Sequence, residues 1–256
     1  MPFSASFPPT RSATTNEGPP PVIQFRNVAV SYDNRMILND ISTTLAERRI
    51  AIIGANGSGK STFVRVINGL TTPDSGIVTV NDVNPAANGR DVRKTVGFIF
   101  SNAENQILMP TVYEDVEFSL RKIREHGHRL SRQDKKRRTM GMLRQCGLER
   151  YAHSSPHQLS GGEQQLLALA AILVARPATI IADEPTTLLD LSNRWRIGRV
   201  FDELPQQIIV VTHDLDFVAH YDRALWIDDG RIRADGTPDD VCREYKDAMR
   251  VRQHDR

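Results

Sequence analysis

One nine-residue stretch constrains the fold of this chain more than any other feature. It reads Gly54-Ala-Asn-Gly-Ser-Gly-Lys-Ser-Thr62 and fits the pattern G-x-x-x-x-G-K-[ST]. The stretch follows the short apolar run Ile50–Ile53, and residues 61–68 after it are typical of a helix. Glycines allow backbone N–H groups to turn inward around phosphate oxygens, and the helix start directs its positive dipole end at the same anion. The pattern therefore predicts a buried strand, a phosphate-binding loop and a helix in succession.

Charged and hydroxyl side chains at two places complete the chemistry that such a loop needs. Lys60 supplies a positive charge for β- and γ-phosphates, and the Ser61 hydroxyl can ligate Mg²⁺. The apolar run 179–182 ends in two adjacent carboxylates, Asp183 and Glu184. Successive strand residues point to opposite sides, so we expect Asp183 to reach Mg²⁺ and Glu184 to polarise the attacking water. A solvated acidic turn is the alternative, which the upstream phosphate loop disfavours.

Two further groups are ambiguous when taken alone. His213 follows the apolar run 208–212; a histidine there is more often a local hydrogen-bonding group, but at a neighbouring strand end it could contact the γ-phosphate and the attacking water. Ser160, with Glu163 three residues later, predicts a capping box at a helix start. Ser160, Gly161 and Gly162 would also offer a hydroxyl and amides to an anion. That second phosphate-binding surface is surplus unless two chains share nucleotide.

The composition is that of an ordinary globular protein. Hydrophobic residues make up 39% of the 256 residues and charged residues 25%, which excludes wholesale disorder and fibrous repeats. The net charge of +2 is too small to indicate nucleic-acid binding, and no apolar stretch of 18 residues is present for a membrane span. Cys146 and Cys242 form no disulfide framework or zinc pattern, so we expect a reducing compartment.

Apolar runs alternate with helical patterns along most of the chain, which predicts an α/β core with a smaller helical lobe. Residues 22–30, 179–182 and 208–212 are predicted strands, and Asp229-Gly230 is predicted to connect a hairpin. Between residues 120 and 156 we predict helices and no strand. The first 21 residues contain six prolines and no secretory apolar region, so a disordered lead-in is expected, with a docking arm as the alternative.

With these motifs, the chain resembles the nucleotide-binding subunits of ATP-binding cassette (ABC) transporters. Residues 54–62 match that family's Walker A motif, 159–165 its signature motif and 180–184 its Walker B motif. Residues 187–190 correspond to its D-loop and His213 to its switch histidine. The resemblance covers about residues 22–236, and the motifs occur in family order.

The resemblance implies an α/β fold: a P-loop NTPase (RecA-like) core with an N-terminal antiparallel β subdomain and an inserted helical subdomain at about residues 102–165. The residue pattern predicts a disordered proline-rich segment at residues 1–21 and a helical tail at 237–256, and the resemblance places the ATPase domain at 22–236. The resemblance implies ATP hydrolysis with Mg²⁺, catalytic roles for Glu184, His213 and Lys60, and metal ligation by Ser61, Asp183 and Ser101. The implied ATP-binding residues are Tyr32, Gly54, Asn56, Gly57, Gly59, Lys60, Ser61, Thr62, Ser160, Gly161 and Gly162. Tyr32 would stack on adenine; from the sequence alone, core packing is equally expected.

Some positions depart from the family pattern. The family usually has glutamine after the strand Val96–Phe100, where this chain has Ser101. The Ser101 hydroxyl is still an oxygen ligand, but its side chain is shorter than that of glutamine. Either a water molecule would bridge Ser101 to Mg²⁺, or Gln106 would take over the role of the missing glutamine. The signature has Glu163 where glutamine is commoner and Leu166 where arginine is common.

The segment 101–116 is similar to energy-coupling-factor ATPases, which drive uptake of vitamins, cobalt or nickel. This implies an ATP-hydrolysing subunit of a micronutrient importer, biotin and cobalt being the leading candidates. It would act as a homodimer or with a paired ABC subunit, bound to an integral membrane subunit at the cytoplasmic face of the inner membrane. The alternative is a soluble ABC ATPase of iron–sulfur cluster assembly. ABC proteins that act on DNA or on the ribosome generally carry long coiled-coil inserts or zinc modules. This chain has neither, so we expect no nucleic-acid partner.

A basic segment remains outside these motifs. Residues 121–138 hold nine basic side chains against Glu125 and Asp134. A solvated face of the helical lobe is the simpler interpretation, and proximity to anionic lipid headgroups is the alternative.

Overall fold

The computed structural model of this chain describes residues 19–125, 127–187 and 189–254. The described residues form two compact units. The sheet unit comprises residues 19–98, 178–185 and 206–254, and the helical unit comprises the described residues within 99–177 and 186–205.

The elements alternate along the chain as the apolar pattern predicts. The strands are β1 (Ile23–Tyr32), β2 (Arg35–Leu45), β3 (Arg49–Ile53), β4 (Ser75–Val80), β5 (Val96–Ile99), β6 (Arg124–Glu125), β7 (His128–Arg129), β8 (Thr179–Asp183), β9 (Gln207–Val211), β10 (Arg223–Asp228) and β11 (Arg231–Gly236). The helices are α1 (Lys60–Ile67), α2 (Pro85–Thr95), α3 (Val112–Phe118), α4 (Arg132–Gln145), α5 (Gly161–Leu173), α6 (Leu191–Glu203) and α7 (Pro238–His254). Short 3₁₀ turns occupy Glu104–Gln106, Glu149–Tyr151 and Pro156–Gln158.

A six-stranded sheet with the order β11-β10-β3-β9-β8-β5 is the core of the sheet unit. Strands β10, β3, β9 and β8 pair in parallel, and β10 and β11 pair antiparallel as a hairpin. Every residue of β8 and β9 is buried, which explains why both strands read as continuous apolar runs. The predicted strands at 50–53, 179–182 and 208–212 and the hairpin around Asp229-Gly230 are confirmed. Because the parallel strands end at the same edge, the residues after β3, β8 and β9 are brought together there.

A second, antiparallel sheet of order β2-β1-β4 lies at the start of the same unit, as the family resemblance implies. Strand β1 begins where predicted, but β2 and β4 were not predicted. Residues Asn27 and Asp40 have left-handed φ values of 50° and 55°, and shifts in the β1–β2 register interrupt the alternation of apolar and polar residues. The sheet packs on α1 through the stacked rings of Phe25 and Phe63, whose centroids are 4.4 Å apart.

The helical unit is built mainly from α3, α4, α5 and α6. The prediction that residues 120–156 contain no strand is wrong, because β6 and β7 pair there as a short antiparallel hairpin. Gly127 turns the hairpin with a φ of 81°. All four strand residues are exposed, so the pair has no apolar face and leaves no alternating pattern in the sequence.

Both ends of the sheet unit are held by side-chain contacts. Residues 1–18 of the predicted proline-rich segment lie outside the described part of the chain. Pro21, which was grouped with that segment, is buried, and its carbonyl accepts a hydrogen bond of 3.0 Å from the Gln207 side chain. The predicted C-terminal helix is α7; the Tyr245 ring meets the edge of Trp226 at 5.5 Å, and Arg252 pairs with Asp228.

Two expectations from composition can be compared with the described residues. Among them, no helix combines the length and the apolar character that a membrane crossing requires. Cys146 and Cys242 are both free thiols and both are buried, so they form no disulfide with each other.

Candidate functional site: a phosphate-binding loop with two carboxylates

The glycine-rich loop joins β3 to α1 and packs against the backbone of its neighbours. Gly54 has a φ of 145°, and a Cβ atom there would lie 2.2 Å from the carbonyl oxygen of Ile227. Gly59 has a φ of 106°, and its Cβ would lie 2.7 Å from the carbonyl oxygen of Ile37. Only glycine fits these two positions, because a side chain would collide with backbone that cannot move aside. The glycines of the motif are therefore explained by close backbone approach.

Lys60 begins α1, and its ammonium group lies inside the loop. Its Nζ donates hydrogen bonds of 2.9 Å to the carbonyl of Gly54 and 2.8 Å to the carbonyl of Ala55. Burial lowers the pKa of Lys60, and the nearby carboxylates of Glu184 and Asp183 oppose that change. The ammonium group is thus held by two weak acceptors, which an anionic phosphate oxygen would replace favourably.

Ser61 and Asp183 form a direct pair between α1 and the end of β8. The Ser61 hydroxyl donates a hydrogen bond of 2.9 Å to Oδ1 of Asp183, and the Arg65 guanidinium lies 3.8 Å from Oδ2. Burial raises the pKa of Asp183, while the hydrogen bond from Ser61 and the charge of Arg65 act in the opposite direction. A hydroxyl and a carboxylate at this separation are the oxygen ligands that a hard divalent cation prefers.

Ser61 and Asp183 offer two protein oxygens to a metal ion, which is fewer than a complete coordination shell needs. Within the described part of the chain, no group of three or more His, Cys, Asp or Glu residues is arranged to hold a metal ion. Mg²⁺ commonly takes one or two protein ligands and completes its shell with water and substrate phosphates. The donor set at Ser61 and Asp183 fits that mode of binding.

Glu184 is adjacent to Asp183 but lies on an unusual backbone conformation. Its φ is 54°, and its N–H donates a hydrogen bond of 2.9 Å to the carbonyl of Val211 in the neighbouring strand. Its Oε2 lies 2.9 Å from Nδ1 of His213, a residue that is well exposed. The left-handed turn separates the two carboxylates, so Asp183 pairs with Ser61 while Glu184 pairs with His213. The two carboxylates point apart for a different reason from the predicted strand alternation: β8 ends at Asp183, and a turn redirects Glu184.

A cleft of about 310 Å³ opens in front of the loop. Tyr32 is exposed at its rim, with its hydroxyl 2.9 Å from Oγ1 of Thr71, so the ring is not part of the core. Arg35 and Ile37 also line the cleft, and the sequence analysis did not identify them. Both lie near the start of β2, a strand that was not predicted either. The sequence feature that could have indicated Arg35 is a basic side chain three positions after Tyr32. The predicted residues that line the cleft are Tyr32, Asn56, Gly57, Gly59, Lys60, Ser61, Thr62 and Glu184.

The signature residues lie in the helical unit at the start of α5. Ser160 is the N-cap, and the predicted capping box is present: the Glu163 side chain accepts from the Ser160 N–H at 2.9 Å, and the Ser160 hydroxyl accepts from the Glu163 N–H at 3.4 Å. These contacts with Ser160 lower the pKa of Glu163, so the carboxylate stays charged at the helix start. A Cβ atom on Gly162 would lie 2.4 Å from the Asn193 side chain, whereas Gly161 faces open space.

The remaining predicted positions are also in the helical unit. Ser101 is exposed just after β5, and the Gln106 side chain accepts a hydrogen bond of 3.2 Å from the N–H of Phe100. Asp190 of the predicted D-loop is the N-cap of α6 and accepts a hydrogen bond of 2.7 Å from the N–H of Asn193. Leu188 of the same loop lies outside the described residues.

Comparison with known sequences identifies the family. Residues 38–187 match the protein family described as ABC transporter. A putative ABC transporter ATP-binding protein of Bartonella quintana is 43% identical over 224 residues, which cover 88% of this chain and 97% of that protein. The biotin transport ATP-binding protein BioM of Rhizobium etli is 40% identical, covering 88% and 98%. The energy-coupling factor transporter ATP-binding protein EcfA1 of Bacillus licheniformis is 37% identical, covering 79% and 72%.

Solved structures agree with the sequence relatives. The structure of cbiO1 from Clostridium perfringens, described as part of the ABC transporter complex cbiONQ, has a TM-score of 0.76 and 27% identity, covering 90% of this chain and 93% of that one. The dimeric ATP-binding cassette MJ0796 bound to ADP and Pi has a TM-score of 0.74 and 28% identity, covering 84% and 98%. With the phosphate loop and both carboxylates in place, the chain belongs to the ABC transporter family, as an ATP-hydrolysing subunit.

Proposed function

We propose that this chain is the energy-coupling ATPase of a membrane importer for a micronutrient, either biotin or another vitamin, or cobalt or nickel. One observation carries the catalytic part: the Glu184–His213 pair and the Ser61–Asp183 pair belong to the same compact unit, at the end of the same strand. Such an arrangement provides a cation site and a base for water side by side, as phosphoryl transfer to water requires.

Binding of ATP would use the cleft and the loop together. The exposed ring of Tyr32 offers a flat surface for adenine, and the loop amides of residues 54–62 surround the phosphates. Lys60 exchanges its two carbonyl acceptors for phosphate oxygens. The serine and amides at 160–162 would bind the nucleotide of a second chain, either another copy or a paired ABC subunit; the dimeric MJ0796 cassettes support that assembly.

Mg²⁺ would be held by Ser61 and Asp183. When bound, the ion supplies positive charge that stabilises the phosphate oxygens. Arg65 compensates part of the Asp183 charge and keeps its carboxylate oriented when no cation is present.

In the hydrolysis step, the oxygen of a water molecule bonds to the γ-phosphorus while the bond between that phosphorus and the bridging oxygen of ADP breaks. Glu184 accepts the proton that the water loses. His213 holds Glu184 through the contact between Nδ1 and Oε2, and it can also contact the γ-phosphate once nucleotide is bound. The products are ADP and inorganic phosphate, and their release lets the two chains separate.

The proposed role in transport rests on the functions that the names of the relatives state. BioM is a biotin transport ATP-binding protein, EcfA1 belongs to an energy-coupling factor transporter, and cbiO1 is part of a transporter complex. By analogy, this chain would act at the cytoplasmic face of the inner membrane, docked to an integral membrane subunit near residues 101–116. Separation and closure of the two cassettes would move that subunit.

The Glu184→Gln variant tests the catalytic assignment. Because glutamine keeps the size of the side chain but cannot take the water proton, ATP should bind within about threefold of the wild-type affinity while turnover falls by about 100-fold or more. Phosphate release and equilibrium ATP binding measure the two quantities, and size-exclusion chromatography with ATP should show a trapped dimer. Glu244→Gln, an exposed change on α7, is the matched control. Near-normal turnover of Glu184→Gln would reject Glu184 as the base.

The transport assignment is tested separately, through the partners. A tagged chain extracted from membranes in mild detergent should carry an integral membrane subunit with it, and ATP turnover of that complex should exceed the turnover of the isolated chain. Recovery of soluble iron–sulfur assembly proteins in place of a membrane subunit would contradict the importer proposal while leaving the ATPase assignment intact.

A further inference from the structure

The segment 121–138 of the helical unit has an excess of seven positive charges. Nine of its side chains are basic and two are acidic, in a chain whose formal net charge is only +2. The rest of the chain therefore has more acidic than basic side chains. Charge is concentrated here on one short surface, which we call the basic surface and define as residues 121–125 and 127–138.

The two acidic residues of the basic surface are already used in ion pairs. Glu125 of the hairpin contacts the Arg138 guanidinium at 2.5 Å, and Asp134 contacts Arg137 at 2.6 Å. Each pair joins two residues of the basic surface, which leaves seven basic side chains unmatched by acidic residues of the same segment. That excess is large enough to attract a polyanion at moderate ionic strength.

The fold presents these charges outward on a fixed support. The hairpin β6–β7 and the helix α4 follow one another, and Ser131 caps α4 by accepting a hydrogen bond from the N–H of Asp134. Thr139 and Leu143 are fully buried on the inner side of α4. The basic side chains Lys122, Arg124, Arg129, Arg132, Lys136 and Arg137 are all exposed.

The chemistry of the surface favours lipid headgroups over nucleic acid. The basic surface contains no Phe, Tyr or Trp of its own, the side chains that single-stranded nucleic-acid sites use most for stacking, and Phe118 stands alone at its edge. At its edge the Arg121 guanidinium lies 5.2 Å from the centre of the Phe118 ring, which is partly exposed. Basic side chains with an apolar residue beside them match an anionic bilayer interface, where the charges meet phosphate headgroups.

We propose that the basic surface binds anionic phospholipid headgroups and holds this face of the ATPase against the membrane. The contact is independent of the integral membrane subunit, and it goes beyond the proposed transport function. It is electrostatic, so it weakens with salt and does not depend on nucleotide.

The test uses the purified full-length chain and vesicles in a flotation assay. Vesicles of phosphatidylcholine with 30% phosphatidylglycerol (about one lipid in three anionic) should carry the wild-type chain at low salt, whereas pure phosphatidylcholine vesicles should not. Raising NaCl to about 0.5 M should release the protein, because the screening length then falls to a few ångströms. Equal binding to neutral vesicles, or no binding to anionic ones at low salt, overturns the proposal.

Two matched variants locate the site. The quadruple change Lys122→Gln, Arg129→Gln, Arg132→Gln and Lys136→Gln should lower the partition coefficient by about 600-fold, since each basic residue near an anionic surface contributes about fivefold. The control changes Arg233, Arg243, Lys246 and Arg250 to Gln and removes the same net charge elsewhere. Both variants should retain ATP turnover, which shows that they fold. Equal loss in the control, or binding of a DNA duplex of equal charge when anionic vesicles show none, would overturn the lipid assignment.

Discussion

The proposed role of Asp183 as a metal ligand needs its charged form, whereas its burial in the folded protein disfavours that form. Burial raises the pKa of this carboxyl, which means that the folded protein without a cation disfavours its charged form. The Ser61 hydrogen bond and the Arg65 charge offset only part of that cost. A cation bound at the proposed site would reverse that cost, because its charge favours the carboxylate form.

The Asp183→Asn variant should therefore be more stable than the wild type at neutral pH when no nucleotide is present. A carboxyl whose folded pKa exceeds its unfolded pKa of 3.8 contributes stability below that value and loses it as pH rises through the folded pKa. Asparagine keeps an acceptor for Ser61 without the charge, so we expect a melting temperature higher by about 2–4 °C at pH 7. The difference should shrink as pH falls towards 4.

Thermal unfolding of both proteins across this pH range measures the effect, with Glu244→Gln on exposed α7 as the control. A lower melting temperature for Asp183→Asn at pH 7 would show that the buried charge is compensated better than the pKa direction indicates. The variant should also lose Mg²⁺-dependent turnover, which separates its stability from its activity.

At the scale of elements, the loop between β3 and α1 is fixed by contact with the backbone as well as by its own conformation. Gly54 and Gly57 both have positive φ, but only Gly54 faces backbone atoms within 3 Å. Replacement by alanine therefore costs different amounts at the two positions. Gly57→Ala carries the strain of a left-handed residue, about 1–2 kcal/mol, whereas Gly54→Ala adds a collision with the Ile227 carbonyl and should cost about 3 kcal/mol or more.

Urea denaturation without nucleotide compares the two variants directly. Gly57→Ala should fold with a modestly lower midpoint, and Gly54→Ala should be strongly destabilised or insoluble. Similar midpoints would mean that β10 moves aside to make room, so that the close approach is not the reason for glycine at position 54.

The elements that the sequence predicted are those whose burial makes them apolar throughout. Strands β3, β8 and β9 are such elements, and the phosphate loop between β3 and α1 has a distinctive residue pattern. Strands β2 and β4 were missed because they are only half buried and because Asp40 and Gly76 take left-handed conformations that break the alternation. The cleft residues Arg35 and Ile37 were missed with them. Pairing within the site, such as Glu184 with His213, depends on a turn after β8 that no local pattern indicates.

At the scale of the whole molecule, each compact unit contains one thiol. Cys146 lies in the helical unit and Cys242 in the sheet unit. Burial raises the pKa of Cys146 to about 12 and also raises the pKa of Cys242. Both thiols therefore react only when their unit opens, and each reports on a different part of the chain.

Alkylation by iodoacetamide at pH 8 should be slower than that of a free thiol by about 1,000-fold or more at Cys146, and less strongly slowed at Cys242, which is slightly exposed. Adding Mg·ATP should slow the reaction of Cys242 more, because the proposed nucleotide site lies in its unit and binding stabilises the folded form. Mass spectrometry of the two peptides resolves the rates. Labelling of both thiols within seconds, or equal protection by nucleotide, would contradict separate opening of the units.

The left-handed backbone at Glu184 affects which residues are expected at this position in other members of the family. A glutamate in that conformation is conformationally costly, whereas glycine, asparagine and aspartate adopt it with little penalty. Under the role proposed for Glu184, selection for hydrolysis opposes that cost and keeps glutamate at the position. A descendant that had ceased to hydrolyse ATP, while keeping the fold, would gain stability by drifting to one of those three residues. The amino acid found after the Walker B aspartate in a distant homologue is therefore a record of whether its ancestors continued to need the reaction.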